Sequence, residues 1–206
     1  MIKSEWIKTY KELPYVNYYV WSWDTAIKKG QHNDYSVGQL WAVCHNGFYL
    51  VDQWRNKVEY ASLKNMVKSL YAQTPSSEVL IEDKASGQQL IQDLKSDSTL
   101  PVIAMMPGKN MALDKISRVQ IISPTFEAGK VYLPEGKPWL AEYIMELTNF
   151  PEVEHDDQCD ATSQAIKRMI DRHKFEVEHA TPETVKESIG EPSYMETDHG
   201  EDDGYW

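Results

Sequence analysis

Two short apolar runs in this chain each close on a carboxylate, and no other feature restricts its folding options as much. Tyr-Tyr-Val-Trp-Ser-Trp ends on Asp24, and Glu-Val-Leu-Ile ends on Glu82-Asp83. A third acidic group, Asp156-Asp157 with Asp160 in His-Asp-Asp-Gln-Cys-Asp, opens a stretch of helical spacing. A carboxylate at the end of a buried strand costs desolvation energy unless positive charge stands beside it. A divalent cation shared by the three groups is the simplest source of that charge. The pattern points to a metal-dependent enzyme.

The intervening sequence supplies a scaffold. Residues 17–24, 36–45 and 47–55 read as three strands, and the Asn46-Gly47 pair between the last two favours a tight hairpin. Leu63, Met66, Val67 and Leu70 then recur at helical spacing within 59–72. A strand at 78–81, a helix over 87–94, a strand at 101–105 and a helix over 111–122 follow, the last one closed by Pro124. Residues 131–133 read as a small peripheral strand, and 139–147 and 156–172 as helices. Helical crossovers of this length favour right-handed parallel connections onto one sheet. The expected fold is therefore α/β, with a five-stranded mixed central sheet flanked by helices. Its first three strands form an antiparallel meander, and β-α-β crossovers add the rest. In that order the first strand lies beside the strand after the first helix. Asp24 and Glu82 then meet at neighbouring strand ends, and Asp157 closes the cluster from the late helix.

Length and charge assign the remainder. The 206 residues suit one domain over 17–172, with 1–16 as a linker or docking segment. From Asp171 to Trp206 there are eleven Asp/Glu against three Lys/Arg, a net of −8 out of −11 for the whole chain. Residues 173–206 read as a disordered acidic tail, so overall acidity says little against a nucleic-acid partner. No apolar stretch approaches the roughly 20 residues of a membrane span. The N-terminus lacks the apolar middle of a secretory signal. Cys44 and Cys159 show neither disulfide nor zinc spacing, which favours a reducing, intracellular setting.

Oxygen ligands without a Cys or His set select Mg²⁺ or Mn²⁺. Two such ions can activate water and stabilise a leaving oxygen in phosphodiester hydrolysis. Asp157 and Asp160 are three apart and share one side of a helix. Asp156 competes with Asp157 as a ligand and is also a natural helix N-cap. Asp83 competes in the same way with Glu82. Asp34 reads as a turn residue, and His155 as a surface group as readily as a ligand.

Four stretches together resemble a known family: Trp-Ser-Trp-Asp-Thr-Ala (21–26), Ile-Glu-Asp-Lys-Ala-Ser-Gly (81–87), Phe-Glu-Ala-Gly-Lys-Val-Tyr-Leu-Pro (126–134), and Phe-Pro followed by His-Asp-Asp-Gln-Cys-Asp-Ala (150–161). In this order they resemble the nuclease domain of the large terminase subunit of tailed bacteriophages, over about 19–170. The resemblance implies an RNase H-like, resolvase-like fold and a metal-dependent endonuclease that cuts concatemeric viral DNA during genome packaging. By motif position Asp24, Glu82 and Asp157 match the catalytic metal ligands, and Asp160 the extra acid one turn later. Lys84, Lys109, Lys115 and Arg118 are candidates for contacts to DNA phosphates. The implied partners are double-stranded DNA, the terminase ATPase domain, the small terminase subunit and the portal, in the host cytoplasm. The chain lacks a phosphate-binding loop, because Gly108-Lys109 has neither the upstream Gly nor the following Ser/Thr. It is expected to cut DNA without translocating it. A stand-alone resolvase or RNase H-type nuclease, or a non-catalytic packaging scaffold, are the alternatives.

Overall fold

Alternation along the central strands decides how the molecule is layered. The computed structural model describes residues 1–26, 35–106 and 111–178. Its strands are β1 (Lys8–Tyr10), β2 (Tyr18–Asp24), β3 (Ser36–Cys44), β4 (Gly47–Asn56), β5 (Glu78–Glu82), β6 (Val102–Met105) and β7 (Val131–Pro134). Its helices are α1 (Tyr60–Gln73), α2 (Ala85–Asp97), α3 (Met111–Glu127), α4 (Leu140–Asn149) and α5 (Asp157–Glu178). Successive strand residues point to opposite faces of a sheet. Val20 and Leu80 accordingly pack with Ile122 of α3, Leu147 of α4 and Ala165 of α5. Trp21, Trp23, Val79 and Ile81 pack instead with Leu63 of α1 and Leu90 of α2. The result is a three-layer domain with its sheet between two apolar cores.

The sheet has seven strands, in the order β1-β7-β4-β3-β2-β5-β6, rather than the five expected from the sequence. β2, β3 and β4 form the antiparallel meander, and β2, β5 and β6 run parallel. The additional strands are at the far edge, where β7 pairs with both β4 and β1. β1 has only three mostly exposed residues, too few to show an apolar alternation. Tertiary contacts hold it there: the Tyr10 hydroxyl donates to the Leu50 carbonyl at 2.9 Å, and its ring meets Tyr49 edge-on. Ile2, in the segment read as linker or docking, is buried in the core.

The hairpin between β3 and β4 is tight, with Cys44 paired to Gly47 across His45-Asn46. Trp23 pairs with Gly38, and a Cβ there would stand 2.5 Å from the indole, so the ring lies against bare backbone. α3 does not stop at Pro124 but continues to Glu127. A proline in a helix removes one hydrogen bond and crowds the preceding carbonyl. Here Gln120 is exposed to water, and buried Ile122 and Phe126 anchor the turns on either side.

α5 is fastened along the sheet. Ser22 donates to the Ala161 carbonyl at 2.8 Å, and Gln164 donates to the Ser22 hydroxyl at 3.0 Å. Arg168 grips Glu78 through two nitrogens at 2.9 and 2.8 Å. Glu78 starts β5, so the turn of α5 at Arg168 lies over the beginning of that strand, and the helix's first turns lie towards the strand's end. Met1–Ile170 form one compact unit. No helix among the described residues is long and apolar enough to cross a membrane. Asp34, Lys109 and residues 179–206 of the expected acidic tail lie outside the described residues.

Candidate active site

Register and alternation bring the strand-end acids together. β2 and β5 pair in parallel with Trp23 opposite Ile81, so Asp24 and Glu82 follow side by side. Val20, Ser22 and Asp24 share one phase of β2, and Leu80 and Glu82 share the matching phase of β5. Both acids therefore project from the face that α5 covers. Gly87 keeps this corner closed: a Cβ there would stand 1.9 Å from the Glu82 carbonyl oxygen, so only glycine lets α2 start this close to the strand end.

The first turn of α5 adds Asp157 and Asp160, and Asp156 immediately precedes it. Burial pushes the Asp24 carboxyl well above the usual range, and the charges of Asp160, Glu82 and Asp157 push it further, against a smaller opposing effect of Lys84. Burial also raises Asp160, although Arg118 and Lys115 resist. Asp157 is raised by burial too, with Arg55 the main opposing charge. Asp24 thus senses carboxylates far from it in sequence, and their charges add to the effect of its burial.

Basic side chains hold this negative charge in place. Arg118 donates through Nη1 to Glu82 at 3.2 Å and through Nη2 to Asp160 at 3.1 Å. Lys115 bridges both Asp156 oxygens at 2.7 Å and Asp160 at 2.8 Å. Lys84 pairs with Glu82 at 2.7 Å. Burial alone would lower the pKa of Lys115, but Asp160 and Asp156 overcome it and raise it. The described lysines and the arginine expected to meet phosphates are therefore paired here with carboxylates. Glu82 pairs with Lys84 and Arg118, whereas Asp83 follows the strand and donates its N–H to the Met105 carbonyl at 2.7 Å.

Arg55 is a member of the site that sequence reasoning missed. It lies near the end of β4 as Asp24 ends β2, and a charge late in an apolar strand was the signal that could have found it. Its guanidinium lies 3.8 Å over the Tyr35 ring, pairs with Glu142 and comes within 3.7 Å of Asp157. The Asp157 Oδ2 is buried and accepts no hydrogen bond in the structure.

The donor set suits a hard divalent cation: clustered carboxylate oxygens, one of them buried without a hydrogen bond, with neutralisation borrowed from lysine and arginine. As the side chains lie, no three Asp, Glu, His or Cys among the described residues stand close enough to chelate one ion. Arg118 and Lys115 occupy the spaces between the acids. A metal would take over a charge these side chains now supply.

A mixed sheet whose central parallel strands end in acids, covered by a helix that brings more, is the RNase H-like arrangement. The family described as Terminase RNaseH-like domain matches residues 21–168, and the chain belongs to it. The large terminase nuclease of thermophilic phage G20c with bound zinc aligns at a TM-score of 0.61 and 16% identity, over 80% of this chain and 95% of that one. The P22 large terminase nuclease domain aligns at 0.56 and 20% identity, over 82% and 90%. The large terminase of a second thermophilic bacteriophage aligns at 0.61 and 14% identity, over 79% of this chain but 42% of that one. The present chain thus spans less than half of that protein. No curated protein matches it.

Proposed function

We propose that this chain is a metal-dependent DNA endonuclease domain that cuts concatemeric viral DNA during genome packaging. One observation carries the reading. Asp24 and Glu82 stand side by side at the ends of paired parallel strands, and Arg118 ties Glu82 to Asp160 of α5, so acids from three separate elements converge. Burial, and then the charges of Asp160, Glu82 and Asp157, raise the Asp24 carboxyl. These acids lie inside a segment matched by the terminase RNase H-like family. The G20c nuclease, similar in fold, has been crystallised with zinc and with magnesium.

Asp24, Glu82, Asp157 and Asp160 would hold Mg²⁺ or Mn²⁺, two ions being the stoichiometry we favour, with Asp156 in reserve. When bound, such cations acidify water and neutralise charge on a leaving oxygen. The protein's own groups do the rest. The carboxylates fix where the positive charge sits, and α5 and β5 set their spacing. Lys115 and Arg118, relieved of neutralising the acids, become available to the non-bridging oxygens of the phosphodiester. A cavity of about 200 Å³ lined by Glu82, Arg118, Gln164, Lys167, Met106 and Ile121 gives the backbone a place to approach. Sequence preference is weak in this reading, because phosphate contacts position DNA without reading it. Translocation falls to a separate ATPase domain, with the small terminase subunit and portal as further partners.

Plasmid cleavage in Mn²⁺ or Mg²⁺ tests the reading, comparing the wild type with Asp24→Ala, Glu82→Ala and Asp157→Ala. Metal-dependent nicking lost in each variant supports it. Cutting that survives in all three moves the chemistry elsewhere, and activity confined to branched or RNA–DNA substrates makes the chain a resolvase or RNase H-type nuclease.

A further inference from the structure

We infer that Glu146 is the positioning residue that sets the first turn of α5, and with it the height and direction of Asp157 and Asp160. The inference rests on the nuclease reading, since it concerns how that site is held.

Glu146 stands in the last turns of α4 between two wholly buried residues of the same helix face, Tyr143 and Leu147, and is itself only 5% exposed. A carboxylate in such surroundings is expensive unless its oxygens are occupied. Both are occupied by the start of α5. Oε1 accepts the backbone N–H of Gln158 at 2.8 Å and of Cys159 at 3.0 Å, and Oε2 accepts from the Gln158 side chain. The first amides of any helix lack intrahelical partners. The next amide along, that of Asp160, already closes onto the Asp156 carbonyl at 2.9 Å. Glu146 thus caps α5 from a different helix, and its negative charge suits the positive end of the helix dipole.

The two amides it holds lie between Asp157 and Asp160 in sequence. Any tilt of that turn moves both acids relative to Asp24 and Glu82. Gln158 extends the anchorage to the sheet: Gln53 donates to its side-chain oxygen at 2.6 Å, and Gln39 donates to its carbonyl at 3.2 Å. Gln39 and Gln53 belong to β3 and β4, so the turn is referenced to the same sheet that carries Asp24. Burial holds the Glu146 carboxyl above its usual range, while the Gln158 side chain, the Cys159 N–H and Arg55 pull against that shift.

The test measures Mn²⁺ binding by calorimetry, with metal alone, on wild type, Glu146→Gln, Leu147→Ala and the double variant Glu146→Gln/Gln158→Glu. All are held at a temperature where circular dichroism shows them folded. Glu146→Gln sets an amide N–H₂ against the Gln158 amide and should weaken Mn²⁺ about 10–100-fold, the usual range for groups that orient metal ligands. Leu147→Ala loosens the same helix and should leave affinity within about twofold of wild type at that temperature. The double variant restores donor to acceptor and should recover most of the lost affinity. Equal weakening by Leu147→Ala, or an unchanged affinity in Glu146→Gln, overturns the inference. A wild type that binds Mn²⁺ and cuts DNA while Glu146→Gln does both equally well overturns it and spares the nuclease reading. A wild type that binds no Mn²⁺ removes both.

Discussion

Arg118 spans the two carboxylates that come from opposite layers of the site, reaching Glu82 on the sheet at 3.2 Å and Asp160 on the covering helix at 3.1 Å. All three side chains are largely buried, at 15%, 6% and 8% exposure. Removing one member of a buried ion pair leaves its partners uncompensated and typically costs about 3–5 kcal/mol. Arg118→Ala should therefore destabilise the protein in EDTA by an amount of that order. Saturating Mn²⁺ should close most of the gap to wild type, because the cation supplies the missing charge. Paired thermal melts check this; a gap of the same size with and without Mn²⁺ contradicts the idea that metal and arginine serve the same acids.

Asp24 gives a prediction in pH. Its folded carboxyl lies above its unfolded value, owing to burial and then to Asp160, Glu82 and Asp157. A group raised in the fold binds more protons there than when unfolded. Its stabilisation is complete below the unfolded pKa, about 3.9 for Asp, and is lost as pH climbs through the folded value. Near neutrality the raised Asp24 carboxyl therefore burdens the metal-free protein. Asp24→Asn should melt higher than wild type at pH 7 in EDTA, by about 2–4 °C for each kcal/mol relieved. It should also flatten the decline of stability above pH 4, abolish nicking and lose much of the Mn²⁺-induced rise in melting temperature. A lower melting point for Asp24→Asn in EDTA would contradict the repulsion described here.

Gly87 bears on geometry rather than charge. A Cβ placed 1.9 Å from the Glu82 carbonyl oxygen forces α2 and the end of β5 apart. Overpacking of this kind costs about 1–3 kcal/mol. Gly87→Ala should lower stability by that amount in a denaturant titration and also weaken Mn²⁺, since the displaced residue carries a proposed ligand. Unaltered Mn²⁺ affinity in the folded variant would mean that Glu82 keeps its place without this close approach.

Ile2 tests the role of the N-terminal segment. It is 1% exposed in the core shared with Val131 and Leu133 of β7. Ile2→Ala should cost about 2–5 kcal/mol, the range for truncating a buried isoleucine. A denaturant midpoint close to wild type would show that the segment adds little to the fold.

Much of the scaffold was legible because its signals are local. Val20 and Leu80 alternate with Trp21 and Ile81 on short strands, and the Asn46-Gly47 pair marks the hairpin. Leu63 and Val67 recur at the helical interval. What escaped depends on residues distant in sequence. β1 is three residues whose partner, Tyr132 among them, lies more than a hundred positions away. The helix running past Pro124 is held by Phe126 in a core that no local window shows. The acids were visible as strand-end charges, yet their pairing with Lys115 and Arg118 was not, because a basic residue on a helix gives no sign of which carboxylate it faces. Glu146 left a faint trace, a Glu on the apolar side of α4 between Tyr143 and Leu147. Only the meeting of α4 with the start of α5 gives that trace meaning.

The shared phase of β2 and β5 bears on how such a sequence can change over time. Each strand presents its terminal acid to α5 only because that acid lies an even number of positions from Val20 or from Leu80. Gaining or losing one position inside either strand turns that acid to the opposite layer, among Trp21, Val79 and the α1 and α2 side chains. Length variation among descendants should therefore collect in the connecting loops, and these two strands should keep their length even where almost every side chain has been exchanged.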